Sequence, residues 1–168
     1  MTSRSRFMFL AAGLALAVIV VVAVLALRIG NPFGATAGGH ALRPDDARVL
    51  ALGKQVYAAQ CAACHGATLE GQPQWRERGP NGLLPAPPHD ASGHTWHHAD
   101  ELLFRITKHG VAKAAGLKDY LSAMPIYEGV LSDDEIVAVL SWIKAQWPAP
   151  VRQRHDQINA QSPQAAPP

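Results

Sequence analysis

Cysteine is almost absent from the chain: Cys61 and Cys64 are the only two in 168 residues. That scarcity excludes a disulfide framework and any four-thiolate metal site, since both need more thiols than the chain holds. Methionine is nearly as rare, with only Met1, Met8 and Met124. Neither sign of charge dominates. There are 15 basic and 13 acidic residues, and three of the basic ones (Arg4, Arg6, Arg28) flank the one long apolar run. The remainder has no basic surplus to hold a phosphate backbone, so nucleic acid is excluded as a partner. The length leaves room for one domain with appendages.

What is present is concentrated in Cys61-Ala62-Ala63-Cys64-His65-Gly66. C-x-x-C-H is the attachment signal for a c-type haem. Two thiols on one turn of backbone can each add to one vinyl group of the haem edge. His65 then lies under the iron and offers its imidazole as the proximal ligand. A bare C-x-x-C also serves thioredoxin-like redox pairs and half zinc sites. Here no second pair exists to complete a zinc site, and a redox pair has no use for the adjoining His-Gly. One covalently bound haem c is expected, and it provides much of the core of so small a domain.

Residues 1–6 read as a cytoplasmic N-terminus and 7–27 as a transmembrane anchor. Phe7 to Leu27 is apolar throughout; at about 1.5 Å per residue it matches the ~30 Å of a bilayer core. Arg4 and Arg6 ahead of it keep the N-terminus inside. A cleaved signal peptide is the competing reading, with Ala35-Thr36-Ala37 as the cleavage site. That site lies far beyond the run, and the run is longer than a usual h-region. The expected location is the bacterial cytoplasmic membrane, single-pass, with the haem domain on the periplasmic side. Residues 28–43, with Gly30, Pro32, Gly34, Gly38 and Gly39, read as a flexible linker.

The haem domain is expected over 44–148. Pro44, Asp45 and Asp46 open a helix, and Val49, Leu52, Gly53, Val56 and Tyr57 recur at its period and deliver the chain to Cys61. Glycine and proline punctuate Gly66 to His98 too densely for regular structure. Trp75 and Trp96 in that loop are packing groups or hydrogen-bond donors for the cofactor. Asp100 to His109 reads as a short helix burying Leu102, Leu103 and Ile106, with Gly110 as an αL cap. A loop follows to Tyr120. Ser132 and Glu135 form a capping box that opens an apolar helix through Ile136, Val139, Leu140, Trp142 and Ile143, which Pro148 ends. Residues 149–168 read as a polar, largely disordered tail, with a polar helix an option over Val151 to Asn159.

This order of elements, with Met124-Pro125 before the last helix, resembles class I (mono-haem) cytochrome c in a membrane-anchored form. The resemblance covers about residues 44–147. It implies an all-α fold preceded by one N-terminal transmembrane helix, with the first and last helices crossing beside the haem. Gly53 and Tyr57 stand where the family packs that crossing, and Val139 and Trp142 look like their partners. It also implies a sixth iron ligand. Met1 and Met8 lie at or in the anchor, so Met124 is the methionine in reach, and His65 and Met124 become the axial pair. Such ligation raises the reduction potential. In the family the second ring nitrogen of the proximal histidine bonds a proline carbonyl; Pro80 is a candidate here and Pro85 a rival.

The departure from the family is a crowd of histidines, His89, His94, His97 and His98, with Asp90 among them. Such a set can bind copper or zinc, although its spacing fits no metal-site pattern. The other reading is a hydrogen-bonded loop over the haem propionates, and one of these histidines is also a rival to Met124. The resemblance implies a carrier of single electrons in a respiratory chain rather than an enzyme. Its partners would be redox proteins: an oxidase, a reductase or a copper protein. Arg105, Lys108, Lys113 and Lys118 offer a basic rim for an acidic one. The alternatives are a cytochrome subunit of an oxidoreductase complex, a haem protein with an added copper-binding histidine loop, and a peroxidase-like enzyme. The last needs an open sixth position, against which Met124-Pro125 argues.

Overall fold

The computed structural model describes residues 39–118 and 120–162, which lie in one compact unit spanning 38–168. The expected N-terminus at 1–6, the anchor at 7–27, the linker up to residue 38 and the last six residues of the tail lie outside the described residues. Among the described residues there is no strand, and no helix is long and apolar enough to cross a membrane.

The first helix among the described residues, α1 (Ala47–Val56), starts where the acidic residues place it. The Asp46 carboxylate accepts from the backbone N–H groups of Arg48 and Val49 at 3.0 and 3.3 Å, which satisfies two donors that a helix start leaves orphaned. The rod does not stop at Val56. It widens into a π-helical turn, Tyr57–Cys61, and tightens again as α2 (Ala62–His65). A π turn inside a helix often marks a functional site, and here it leads straight into the C-x-x-C-H.

After the long loop and a 3-10 turn (Thr95–His97) come α3 (Asp100–His109), α4 (Val111–Ala115), α5 (Asp133–Ala145) and α6 (Ala149–Gln161). The capping box at Ser132 is complete in both directions: Ser132 Oγ accepts from Glu135 N–H and Glu135 Oε2 from Ser132 N–H. The most extensive contact between elements is that of α1 with α5. Gly53 makes it possible. A Cβ there would collide with the Ala138 carbonyl oxygen and sit 2.8 Å from Trp142 Cβ. The Tyr57 ring tilts against Trp142 at 4.7 Å. Val49, Ile136 and Val139 are sealed in the interior beside this crossing.

Several expectations need correction. The haem domain begins before residue 44, because the supposed linker residues 39–43 are tied down. His40 stacks on Phe104 at 3.3 Å, Leu42 is buried, and the N–H groups of Leu42 and Arg43 reach Asp100 and Ser141. The buried face of α3 is Leu103, Phe104 and Thr107 rather than Leu102 and Ile106, since α3 packs on α5 and α4 together. Gly110 ends α3 at φ 83°, ψ 157°, a glycine conformation but not αL. The stretch after it is a short helix, α4, where a loop was expected.

The tail takes its helical option and extends it beyond Val151 to Asn159: residues 149–161 are an ordered helix, where most of the tail was expected to be disordered. Pro148 ends α5 less than it starts α6, whose first turn also holds Pro150. His155 is fully buried and lies edge-on to Trp147 at 5.0 Å. Its Nε2 donates to the His98 carbonyl at 3.0 Å. Asn159 and Asp100 exchange two hydrogen bonds of 2.8 and 2.9 Å. Lys144 is 4% exposed and its ammonium meets Asp156 at 2.6 Å, the pairing that a buried charge requires. Arg152 reaches back to Asp45 at 2.7 Å.

Burial, with Lys144 nearby, holds the His155 imidazole below its usual range, while Asp100, the His98 carbonyl and Asp156 pull the other way. A histidine whose pKa is depressed on folding is protonated first in the unfolded chain. Its contribution is therefore present above the unfolded value of ~6.5 and drains away as pH falls below it. The melting temperature of the holoprotein should drop between about pH 7 and pH 5. A His155→Gln variant should show a flatter slope; equal slopes would remove His155 from the account.

Candidate haem-binding site

No disulfide joins the two cysteines of the motif; Cys61 is half-buried and Cys64 exposed. Before haem is attached, burial, with Cys64 beside it, pushes the Cys61 thiol up to about 11. The turn that carries them is fastened at both ends by tyrosines. Tyr57 Oη donates to the Gly66 carbonyl at 2.8 Å and Tyr127 Oη to the Gln60 carbonyl at 2.7 Å. Burial raises both phenols, which keeps them as donors. Neither tyrosine's hydroxyl role was legible from the sequence, where Tyr57 reads only as a packing residue.

His65 is 8% exposed. Its Nδ1 donates to the Pro87 carbonyl at 2.8 Å, which corrects the expectation of Pro80 or Pro85. Backbone close approach makes the choice. A Cβ at Gly71 would lie 2.6 Å from the Pro87 carbonyl carbon, and one at Gly93 would strike the Pro88 carbonyl. These two glycines clasp the Pro87-Pro88 segment between them and aim its carbonyl at the imidazole. Burial holds His65 below the usual histidine range, against the smaller opposing effect of the Pro87 bond. The ring is neutral, one nitrogen is committed, and Nε2 is left as the donor for a metal.

The loop histidines, for which a copper or zinc set was one of two readings, do not converge on a common point. His89 Nδ1 shares a hydrogen bond with Thr95 Oγ1 at 2.8 Å, and its ring stacks on His65 at 3.9 Å. His94 stacks on Trp75 at 5.6 Å and His97 on Trp96 at 3.6 Å, while His98 stands edge-on to His94. Among the described residues no group of three or more His, Cys, Asp or Glu side chains is arranged to hold a metal ion. Each imidazole has a ring for a neighbour instead. The tryptophans therefore pack on histidines, and Trp96 Nε1 donates to the Ala91 carbonyl at 3.3 Å.

Met124 is half-buried against the hydrophobic core that includes Tyr57, Leu69 and Tyr127. On either side of it Leu121 and Ile126 stay 61% and 57% exposed, an apolar surface suited to a porphyrin face. Of the basic rim, Lys108 is paired with Asp133 at 2.6 Å and Arg105 donates to the Ala114 carbonyl. Both are held by their own domain.

Two free thiols on a fastened turn, a neutral histidine with one nitrogen anchored, and exposed apolar side chains beside a methionine suit haem c. The cytochrome c family model matches residues 50–147, more than half of the chain. No curated protein and no solved structure gives a significant match. The motif, the helical fold around it and the family match agree: the chain belongs to the cytochrome c family, carries covalently bound haem c, and serves haem-based electron transfer.

Proposed function

We propose that this protein is a membrane-anchored carrier that passes single electrons through a haem ligated by His65 and Met124. It would work in a respiratory chain on the outer face of the bacterial cytoplasmic membrane. The geometry at His65 carries this reading. Its Nδ1–H is spent on Pro87 at 2.8 Å, which leaves Nε2 as an aimed, neutral donor. Bound haem supplies the one-electron couple. The protein's own share is to hold the proximal ring, close the opposite side with Met124, and keep water away with buried Leu69, Tyr57 and Tyr127. A filled sixth position suits electron transfer better than catalysis at the iron, and His/Met pairs favour high potentials.

The apolar run at Phe7 to Leu27, preceded by Arg4 and Arg6, supports the anchor and the periplasmic location. An anchored head searches a small volume, which raises its effective concentration near membrane-bound redox partners such as an oxidase, a reductase or a copper protein. The test is the near-infrared spectrum of the oxidised protein. A weak sulfur-to-iron charge-transfer band is expected, and Met124→Ala should abolish it and lower the midpoint potential. A parent spectrum without that band, or a potential unmoved by the substitution, would sink the His65/Met124 assignment.

A further inference from the structure

We infer that His89 is a positioning residue for the axial imidazole: its ring, stacked on His65 with centroids 3.9 Å apart and planes 24° apart, fixes the twist of the His65 ring. The inference rests on His65 being the proximal ligand. One hydrogen bond from Nδ1 to Pro87 sets where the ring points, while the side-chain torsions still allow the ring plane some tilt about that bond. A flat partner against one face removes that freedom.

The partner is useful only if it is immobile, and His89 is held on three sides. Its ring nitrogen is bonded to Thr95 Oγ1 at 2.8 Å, on a side chain that is itself buried. Its backbone N–H donates to the Leu69 carbonyl at 2.8 Å. Leu69 sits at φ 72°, a conformation that costs a leucine energy and persists only where the surroundings impose it. The His89 carbonyl accepts from Trp147 Nε1 at 2.7 Å. Trp147 in turn lies against the buried ring of His155 at 5.0 Å. The Tyr57 ring stands edge-on to His89 at 6.3 Å, closing a further side. Leu69 and Trp147 thus fix the His89 backbone and Thr95 fixes its ring, whose one aromatic face meets the iron-ligand candidate. Pro88 and Pro87 immediately precede it, so the same short segment supplies both the direction and the twist of His65.

The experiment compares the holoprotein with His89→Ala and His89→Phe, by electron paramagnetic resonance of the ferric form and by midpoint potential. The largest g value of a low-spin ferric haem depends on the orientation of its axial ring. The parent is expected to give one narrow signal. His89→Ala should broaden or split it and shift the potential, and His89→Phe, which keeps a flat face, should restore a single narrow signal. An alanine variant identical to the parent in both readouts overturns the proposal, as does a phenylalanine variant indistinguishable from alanine. If His89→Ala yields no holoprotein, Thr95→Val carries the test: it removes the ring's hydrogen-bond partner at nearly constant volume. Broadening in that variant supports the proposal and an unchanged signal overturns it. Absence of the near-infrared band in the parent would instead count against Met124 ligation. Haem that stays covalently bound, with the band unchanged in every variant, confines any failure to His89.

Discussion

Gly53→Val is expected to abolish the native head domain. The α1–α5 crossing is the largest contact in the fold, and at Gly53 it brings backbone against backbone. A Cβ would overlap the Ala138 carbonyl oxygen, lie 2.6 Å from its carbon and 2.8 Å from Trp142 Cβ. Side chains can turn away from an intruder, but a carbonyl in mid-helix cannot move without breaking its own ladder. Overpacking a core costs about 1–3 kcal/mol where neighbours yield, and here they do not. The loss should reach or exceed the upper end of that range, against a total stability of roughly 5–15 kcal/mol. Separating the helices would also loosen Tyr57, which packs on Trp142 and holds the Gly66 carbonyl. Far-ultraviolet circular dichroism against temperature is the check. Gly53→Ala should melt well below the parent, and Gly53→Val should show no cooperative transition. A parent-like melt for the valine variant would mean that the helices do not cross at this point.

The second large effect is expected at the thiols. Cys61→Ser combined with Cys64→Ser removes every cysteine from the chain, so no thioether can form and haem retained after denaturation should fall to zero. The single variants should differ. Cys61 is packed against the hydrophobic core whereas Cys64 is exposed, so Cys61→Ser buries a hydroxyl in an apolar setting and costs more stability. Acid–acetone extraction and haem staining of a denaturing gel read the first outcome, and thermal melts of the two single variants read the second. Haem that resists extraction from the double variant would refute attachment at this motif.

How far the sequence could be read depended on whether the cause was local. Asp46 and Ser132 cap their helices through atoms two or three residues away, and both starts are visible in the residue order. The period of Val49, Leu52, Gly53, Val56 and Tyr57 is visible for the same reason: Val49, Gly53 and Val56 form the buried face of α1, Tyr57 continues it into the π turn, and Leu52 is half-buried at its edge. The proximal hydrogen bond was not visible. Pro80, Pro85 and Pro87 all offer carbonyls, and the choice falls to Gly71, which approaches the proline segment from well before it in the chain, and to Gly93 in the turn just after it. The helix α4 was missed although Val111 to Ala115 is alanine-rich and framed by Gly110 and Gly116, a combination that signals a short helix. The α3 face was misjudged because Phe104 is buried by contacts that no period within α3 reveals. As for His89, composition shows only a crowd of imidazoles. Its stacking on His65 depends on loop paths that a one-dimensional reading does not contain.

The ion pair between Lys144 and Asp156 bears on where this module begins and ends. The family match stops at residue 147, and a gene fragment trimmed to that limit would look complete. It would leave the Lys144 ammonium, 4% exposed, in a nearly dry site without its counter-ion, and would strip the cover from Trp147. At the other end, trimming to residue 44 would discard the His40 and Leu42 anchors on α3. A unit for grafting this cytochrome onto another anchor or partner must therefore reach at least from His40 at one end to Asn159 at the other, and these outermost segments are the parts that a family signature does not record.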